Sequence, residues 1–137
     1  MGNDTLTKKI RILVAKPGVD GHRIGAEFLC QVFRDAGMEV IYTGTYQMPE
    51  MIVDAAVQED VDIIALSSLS WSSTADFSDV MTVMKERHLT IPVVGGGLIP
   101  EEDKAFLESI GVHGNYGPGT PLRKIIDLVV GAVKSGT

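Results

Sequence analysis

The sequence predicts an α/β fold: a doubly wound, five-stranded parallel sheet, most simply in the order 2-1-3-4-5, with helices on both faces. Two observations lead there. Short β-branched apolar runs alternate with helical apolar stripes along the whole chain, which is the pattern of successive βαβ units. The segments that follow the strands are rich in Gly, Ser and Thr. Right-handed crossovers leave few topologies and bring those segments to one edge of the sheet.

The first strand is Ile10-Arg11-Ile12-Leu13-Val14-Ala15, closed by Pro17 and Gly18. After Gly25, a stripe of Ala26, Phe28, Leu29, Val32, Phe33 and Ala36 reads as a helix, with Gly37 as its stop. A second strand covers about Glu39 to Thr43. Pro49 opens a helix with Met51, Ile52, Ala55 and Ala56 inward. Asp62 to Ser67 is the third strand, and Phe77, Val80, Met81 and Met84 mark the third helix. Ile91 to Val94 is the fourth strand, closed by Gly95-Gly96-Gly97 as a turn. A short helix runs from Pro100 to about Ser109, and Val112 to Tyr116 is the fifth strand. Thr120 offers an N-cap to a last helix with Leu122, Ile125, Ile126, Val129 and Val130 inward. The tail from Lys134 to Thr137 is expected to fray. Residues 1–9 read as an N-terminal tail and 10–137 as a single domain.

The chain has 137 residues, 45% hydrophobic and 22% charged, with net charge −6. That is ordinary globular composition. No cluster of Lys and Arg offers itself to a phosphate backbone, so no nucleic-acid partner is expected. No apolar run is long enough to span a bilayer, and the start of the chain lacks the apolar stretch of a secretory signal. A single cysteine, Cys30, excludes an internal disulfide and fits a reducing, cytoplasmic setting. Its apolar neighbours suggest that it is buried.

In sheets of this type ligands bind beyond the carboxyl ends of the strands, near the point where strand order reverses. There the first strand runs into Lys16 to Gly25, the third into Ser67 to Trp71, the fourth into the three glycines, and the fifth into Gly117 to Thr120. Together they suggest a groove lined by backbone. Trp71 falls among these loops and reads as a core or lid aromatic, or as a stacking platform. Asp20 and His22 stand two residues apart in the first loop. Such a pair suits a metal ligand and its support, because a neutral imidazole gives one nitrogen to a metal and needs an acceptor for its other N–H. It is equally the composition of a surface turn. A bare zinc ion would want three or four ligands, and His88 and His113 fall far from this loop. A metal held by His22 should therefore arrive already bound in a macrocycle.

The segment Lys16-Pro17-Gly18-Val19-Asp20-Gly21-His22-Arg23-Ile24-Gly25 resembles the Asp-x-His-x-x-Gly signature of cobalamin-binding domains. Ser67-Ser68-Leu69 resembles the family's Ser-x-Leu, and Gly96-Gly97 its Gly-Gly pair. Val14-Ala15-Lys16, Gly96 to Pro100 and Tyr116-Gly117-Pro118-Gly119-Thr120 are closest to the methylmalonyl-CoA mutase family of coenzyme B12-dependent acyl-CoA mutases. The likeness covers about Ile10 to Val133 and implies a flavodoxin-like sheet. It implies His22 as the lower ligand of the cobalt in adenosylcobalamin, bound with its own base displaced. Asp20 would be the partner of His22 and Lys16 the next member of the relay. Gly21, Arg23, Ile24 and Gly25 complete the loop. Ser67, Leu69, Ser70, Gly96 and Gly97 would line a slot for the displaced nucleotide tail, with Tyr116, Gly117, Gly119 and Thr120 towards its outer end.

The resemblance also implies the small subunit of a two-chain isomerase. A substrate barrel of the TIM type takes roughly 250 residues, for which this chain has no room. A larger subunit is then expected to bind the acyl-CoA and carry the catalytic residues, and none is assigned to this chain. Arg23-Ile24 departs from the Asp-Arg of many relatives, and Ser70 to Ser73 is also unusual. The acyl-CoA therefore stays open among methylmalonyl, 2-hydroxyisobutyryl, isobutyryl, ethylmalonyl and pivalyl. A corrinoid carrier for methyl transfer is the alternative, although such carriers usually place a helical region before the loop. A signalling receiver domain would need an acidic pair where Ala15-Lys16-Pro17 stands. A flavodoxin would need a Ser/Thr-rich phosphate loop there.

Overall fold

Strand β1 (Arg11–Ala15) buries its last four side chains completely. A strand apolar on both faces belongs inside a covered parallel sheet. The computed structural model, which describes residues 9–135, places it there. β1 pairs in parallel with β2 (Glu39–Tyr42) on one side and β3 (Ile63–Ser68) on the other. β4 (Val93–Gly97) and β5 (Val112–Tyr116) continue from β3, so the order is 2-1-3-4-5.

Successive side chains on a strand point to opposite faces, and the two faces form two separate cores. Helices α1 (Arg23–Asp35) and α5 (Leu122–Ser135) cover one, where Ile12, Val14, Ile63, Ala65 and Val94 meet Ala26, Phe33 and Val129. Helices α2 (Pro49–Gln58), α3 (Ser73–Glu86) and α4 (Lys104–Ser109) cover the other. There Leu13, Ile64, Leu66 and Val93 meet Ile52, Phe77, Val80 and Leu107. Cys30 is buried on the first face. Gly37, at φ +92°, ends α1 in a left-handed turn. The Gly37 and Met38 N–H groups return to the Arg34 and Phe33 carbonyls.

Four local expectations change. Helix α1 begins at Arg23 rather than after Gly25. Its first turn stands at the ligand end and carries no core residue, so the apolar stripe does not register it. Gly95, Gly96 and Gly97 are not a turn but the body of β4, paired with Leu66, Ser67 and Ser68 of β3. Thr120 does not cap α5; its hydroxyl donates to the Gly117 carbonyl within the preceding turn. In α2, Val53 is buried and Met51 is exposed. Lys134 and Ser135 continue α5, while Gly136, Thr137 and residues 1–8 of the N-terminal tail lie outside the described residues. Among the described residues no helix is long and apolar enough to cross a membrane.

Candidate functional site: a histidine loop beside a glycine-lined slot

The loop after β1 is fixed before it reaches His22. Pro17 bridges to Gln47 in the β2–α2 loop, and the Gly18 N–H donates to the Gln47 carbonyl at 2.9 Å. Gly18 lies at φ +78°, and a side chain there would run into the Asp76 carboxylate. The chain then turns inward, so that Lys16 and Asp20 have no side-chain exposure.

Asp20 is the centre of the arrangement. Lys16 Nζ donates to Asp20 Oδ2 at 2.8 Å and also reaches the Ser67 carbonyl at 3.3 Å. The Leu69 N–H donates to the same Oδ2 at 2.7 Å, which ties the β1 loop to the β3 loop across the switch point. Asp20 Oδ1 takes the His22 N–H at 2.9 Å and lies 2.7 Å from His22 Nδ1. Burial alone would raise the Asp20 pKa. The Lys16 ammonium and the three donors from Leu69 and His22 outweigh it and hold the group far below the usual carboxylate range. In the neutral imidazole, an Nδ1 proton directed at the Asp20 carboxylate would leave Nε2 as the atom with a free lone pair. The His22 side chain is 68% exposed, so this nitrogen is available to a ligand.

Beside this cluster is a cavity of about 330 Å³, within the range of small-molecule sites. It lies between the sheet and helices α1 and α5. Leu69, bonded to Asp20, and Gly25, three residues past His22, both line it. Its floor is made of small residues at the ends of β3 and β4, where Ala65 pairs with Val94 and Ser67 with Gly96. A side chain on Gly96 would meet little protein beyond the Tyr116 carbonyl and would project into the slot. Gly97, at φ +120°, is required on different grounds, because a Cβ would overlap the Ser68 carbonyl. The register of β4 against β5 shifts after Gly95, and Asn115 sits at φ +55° in that bulge. The bulge brings Tyr116 to the slot, which Gly117, Gly119 and Thr120 also line. Lys124 stands 4.9 Å over the Tyr116 ring.

The residues singled out from sequence thus fall into three groups. Lys16, Asp20 and His22 form one bonded cluster. Gly25, Ser67, Leu69, Gly96, Gly97, Tyr116, Gly117, Gly119 and Thr120 line one slot. Gly21 lies within the Asp20–His22 turn, under Tyr46, while Arg23 is exposed and pairs with Glu27, Ile24 is exposed, and Ser70 bonds Ser72. Trp71 is fully exposed. Phe28, Leu29, Phe33, Ile125 and Leu128 wall the slot and were not recognised as site residues. Their helical spacing is the same whether a face meets core or cavity, so periodicity carries no signal for them. Among the described residues no group of three or more His, Cys, Asp or Glu could hold a bare metal ion.

A single imidazole backed by a carboxylate thus stands beside a slot lined by small residues. Residues 10–126 match the model of the B12 binding domain, and the chain belongs to that family. Within it, the chain stands with the small subunits of acyl-CoA mutases. It is 40% identical over 121 residues to the 2-hydroxyisobutanoyl-CoA mutase small subunit of Aquincola tertiaricarbonis, covering 88% of this chain and 89% of that one. It is 38% identical over 124 residues to the pivalyl-CoA mutase small subunit of Xanthobacter autotrophicus, covering 90% and 83%. Among solved structures, a cobalamin-binding protein from Desulfitobacterium hafniense superposes with a TM-score of 0.76 at 20% identity, over 90% of this chain and 58% of that one. That likeness bears on the fold.

Proposed function

We propose that this chain holds adenosylcobalamin for a two-chain acyl-CoA mutase, with the cofactor's own base displaced and His22 as the lower ligand of its cobalt. The observation that carries the reading is the Lys16–Asp20–His22 relay. It is buried and charge-compensated at its inner end, presents a free imidazole nitrogen at its outer end, and adjoins a slot whose floor has no side chain at Gly96. Lys16 holds Asp20 ionised, Asp20 holds the His22 tautomer, and the imidazole is thereby oriented and made a stronger donor. The slot, between Gly96 on one side and α1 and α5 on the other, receives the displaced nucleotide tail. When bound, adenosylcobalamin would supply the radical chemistry of a carbon-skeleton rearrangement. This chain supplies binding, orientation and tuning of the metal.

The substrate acyl-CoA and the residues that position it belong, in this reading, to a larger partner subunit of TIM-barrel type. The two small-subunit relatives are named for two different acyl-CoAs at nearly equal identity, and the choice of substrate is assigned to that partner. The test is an absorbance titration of the purified chain with adenosylcobalamin. The wild type should give the base-off, histidine-ligated spectrum. His22→Ala should lose the histidine signature, and Asp20→Asn should bind roughly 10–100-fold more weakly. An unaltered spectrum with His22→Ala would overturn the assignment. Co-purification with the large subunit, followed by an acyl-CoA panel, then identifies the reaction.

A further inference from the structure

Tyr46 is a bulky side chain in a backbone conformation suited to glycine. Its φ is +58°, in the left-handed region where a bulky non-glycine residue is an outlier. It does not adopt that conformation to fill the core, because it is 61% exposed. Strain of this kind persists where the surrounding structure enforces it, and it clusters at functional sites. The enforcement is visible in the next residue. The Gln47 N–H donates to the Lys16 carbonyl at 3.2 Å, and the Gln47 carbonyl accepts from the Gly18 N–H at 2.9 Å. Gln47 is thus stitched to the relay loop on both sides. The turn at Tyr46 then brings its side chain onto that loop hydroxyl end first, close enough that any Cβ on Gly21 would collide with the hydroxyl.

Gly21 is the residue between Asp20 and His22. Its neighbours make the two bonds from Asp20 Oδ1 to the His22 backbone and ring. We propose that Tyr46 is a positioning residue for His22. By packing on Gly21 it holds the Asp20–His22 turn closed, so that the imidazole stays on Asp20 before any ligand arrives. A small residue would relieve the backbone but leave Gly21 uncovered and the turn free to open. The proposal deepens the cofactor reading above and rests on it for its effect on the metal, but its effect on the loop belongs to the cofactor-free chain.

The test compares Tyr46→Gly and Tyr46→Phe with the wild type. In the cofactor-free protein, hydrogen exchange at the His22 amide, which donates to Asp20 Oδ1, reports the order of the turn. Tyr46→Gly should exchange there about tenfold faster. Its Tm should stay level or rise, because glycine removes the left-handed strain. Titrated with adenosylcobalamin, the same variant should bind about tenfold more weakly and show a smaller histidine-ligated fraction. Tyr46→Phe keeps the ring but removes the hydroxyl that stands against Gly21, and should fall between wild type and Tyr46→Gly in exchange and titration. Wild-type exchange and titration in Tyr46→Gly would overturn the proposal. So would a large fall in its Tm, which would make Tyr46 a fold residue. If His22→Ala leaves the cofactor spectrum unaltered, the cofactor reading fails, while exchange at the His22 amide of the Tyr46 variants still decides whether Tyr46 closes the turn.

Discussion

On one face of the sheet, Leu13, Ile64, Leu66 and Val93 close against α2, α3 and α4 around Phe77, with no exposure at the ring. On the other, Ile12, Val14 and Ile63 start a similar core, but towards the strand ends the same positions become Ala65, Ser67 and Gly96, and a slot replaces the core. The strands are shared, and only the alternate residues differ. A period of two therefore lets one stretch of β3 and β4 build a packed wall on one side and a vacant floor on the other. Just past the end of β1, Lys16 is fully buried on Asp20 and the Ser67 carbonyl. The comparison predicts that the closed face carries stability and that the slot face gives up packing to hold a ligand.

The largest expected effect comes from the charges buried at the slot end. Lys16→Met leaves the buried Asp20 carboxylate without its ammonium, and Asp20→Asn leaves the buried ammonium without its carboxylate. Each should cost about 3–5 kcal/mol in chemical denaturation, the usual result of removing one member of a buried pair. The sign of the pH dependence follows from the depressed Asp20 pKa. A carboxyl with a lower pKa when folded contributes stability in full above its unfolded value, near 3.8. That contribution is lost as pH falls through the folded value. The advantage of wild type over Asp20→Asn should thus be flat from pH 7 to 5 and shrink only in strong acid. An advantage that fades already near pH 6 would show that Asp20 is not held by this cluster.

A smaller effect tests the two faces at adjacent positions. Gly95 and Gly96 are neighbours in β4 and face opposite sides. A Cβ on Gly95 would come within 2.6–2.8 Å of Asn115 Oδ1, Phe77 and Val112. Gly95→Ala should therefore cost about 1–3 kcal/mol of stability through overpacking. A Cβ on Gly96 meets only the Tyr116 carbonyl, at 3.1 Å, and otherwise faces the slot, so Gly96→Ala should cost less stability than Gly95→Ala. It should weaken cobalamin binding by roughly 10-fold or more, since a methyl intruding on a close-packed ligand costs on the order of 1–3 kcal/mol. If Gly96→Ala binds like wild type, the slot does not take the nucleotide tail.

These glycines also mark where the sequence was legible and where it was not. The strand order was readable because β1 and β3 are short apolar runs spaced by helical stripes. The B12-binding family was readable because Asp20, His22, Ser67 and Leu69 stand in recognisable spacing at strand ends. The strand character of Gly95 to Gly97 was hidden, because glycine has weak strand propensity and only the approach of Ser68 to Gly97 explains its place there. Tyr46 was hidden too. Nothing local marks a tyrosine as left-handed, and its contact with Gly21 joins two loops separated by strand β2 and helix α1. The slot walls from Phe28 to Phe33 were hidden because a stripe that faces a cavity reads as one that faces a core.

The smallest expected effect sharpens the comparison between two carboxylates that flank the same loop. Asp20 is held ionised by donors on every side. Asp76 covers Gly18 from the first turn of α3 with one hydroxyl donor, Ser72 Oγ at 2.7 Å. Burial raises the Asp76 pKa, the Ser72 hydroxyl lowers it only in part, and Asp79 and Asp20 raise it further. The sign is opposite to that at Asp20: an acid whose pKa is higher when folded favours the fold in its protonated form and opposes it when ionised. Asp76→Asn should accordingly stabilise the chain slightly at pH 7, by less than about 1 kcal/mol for a partly exposed group, and the gain should vanish near pH 3. Denaturation of the variant and wild type at both pH values decides it. A loss of stability at pH 7 would mean that the ionised Asp76 is anchoring the histidine loop rather than merely resting on Gly18, and that both carboxylates, not one, hold the loop by their charge.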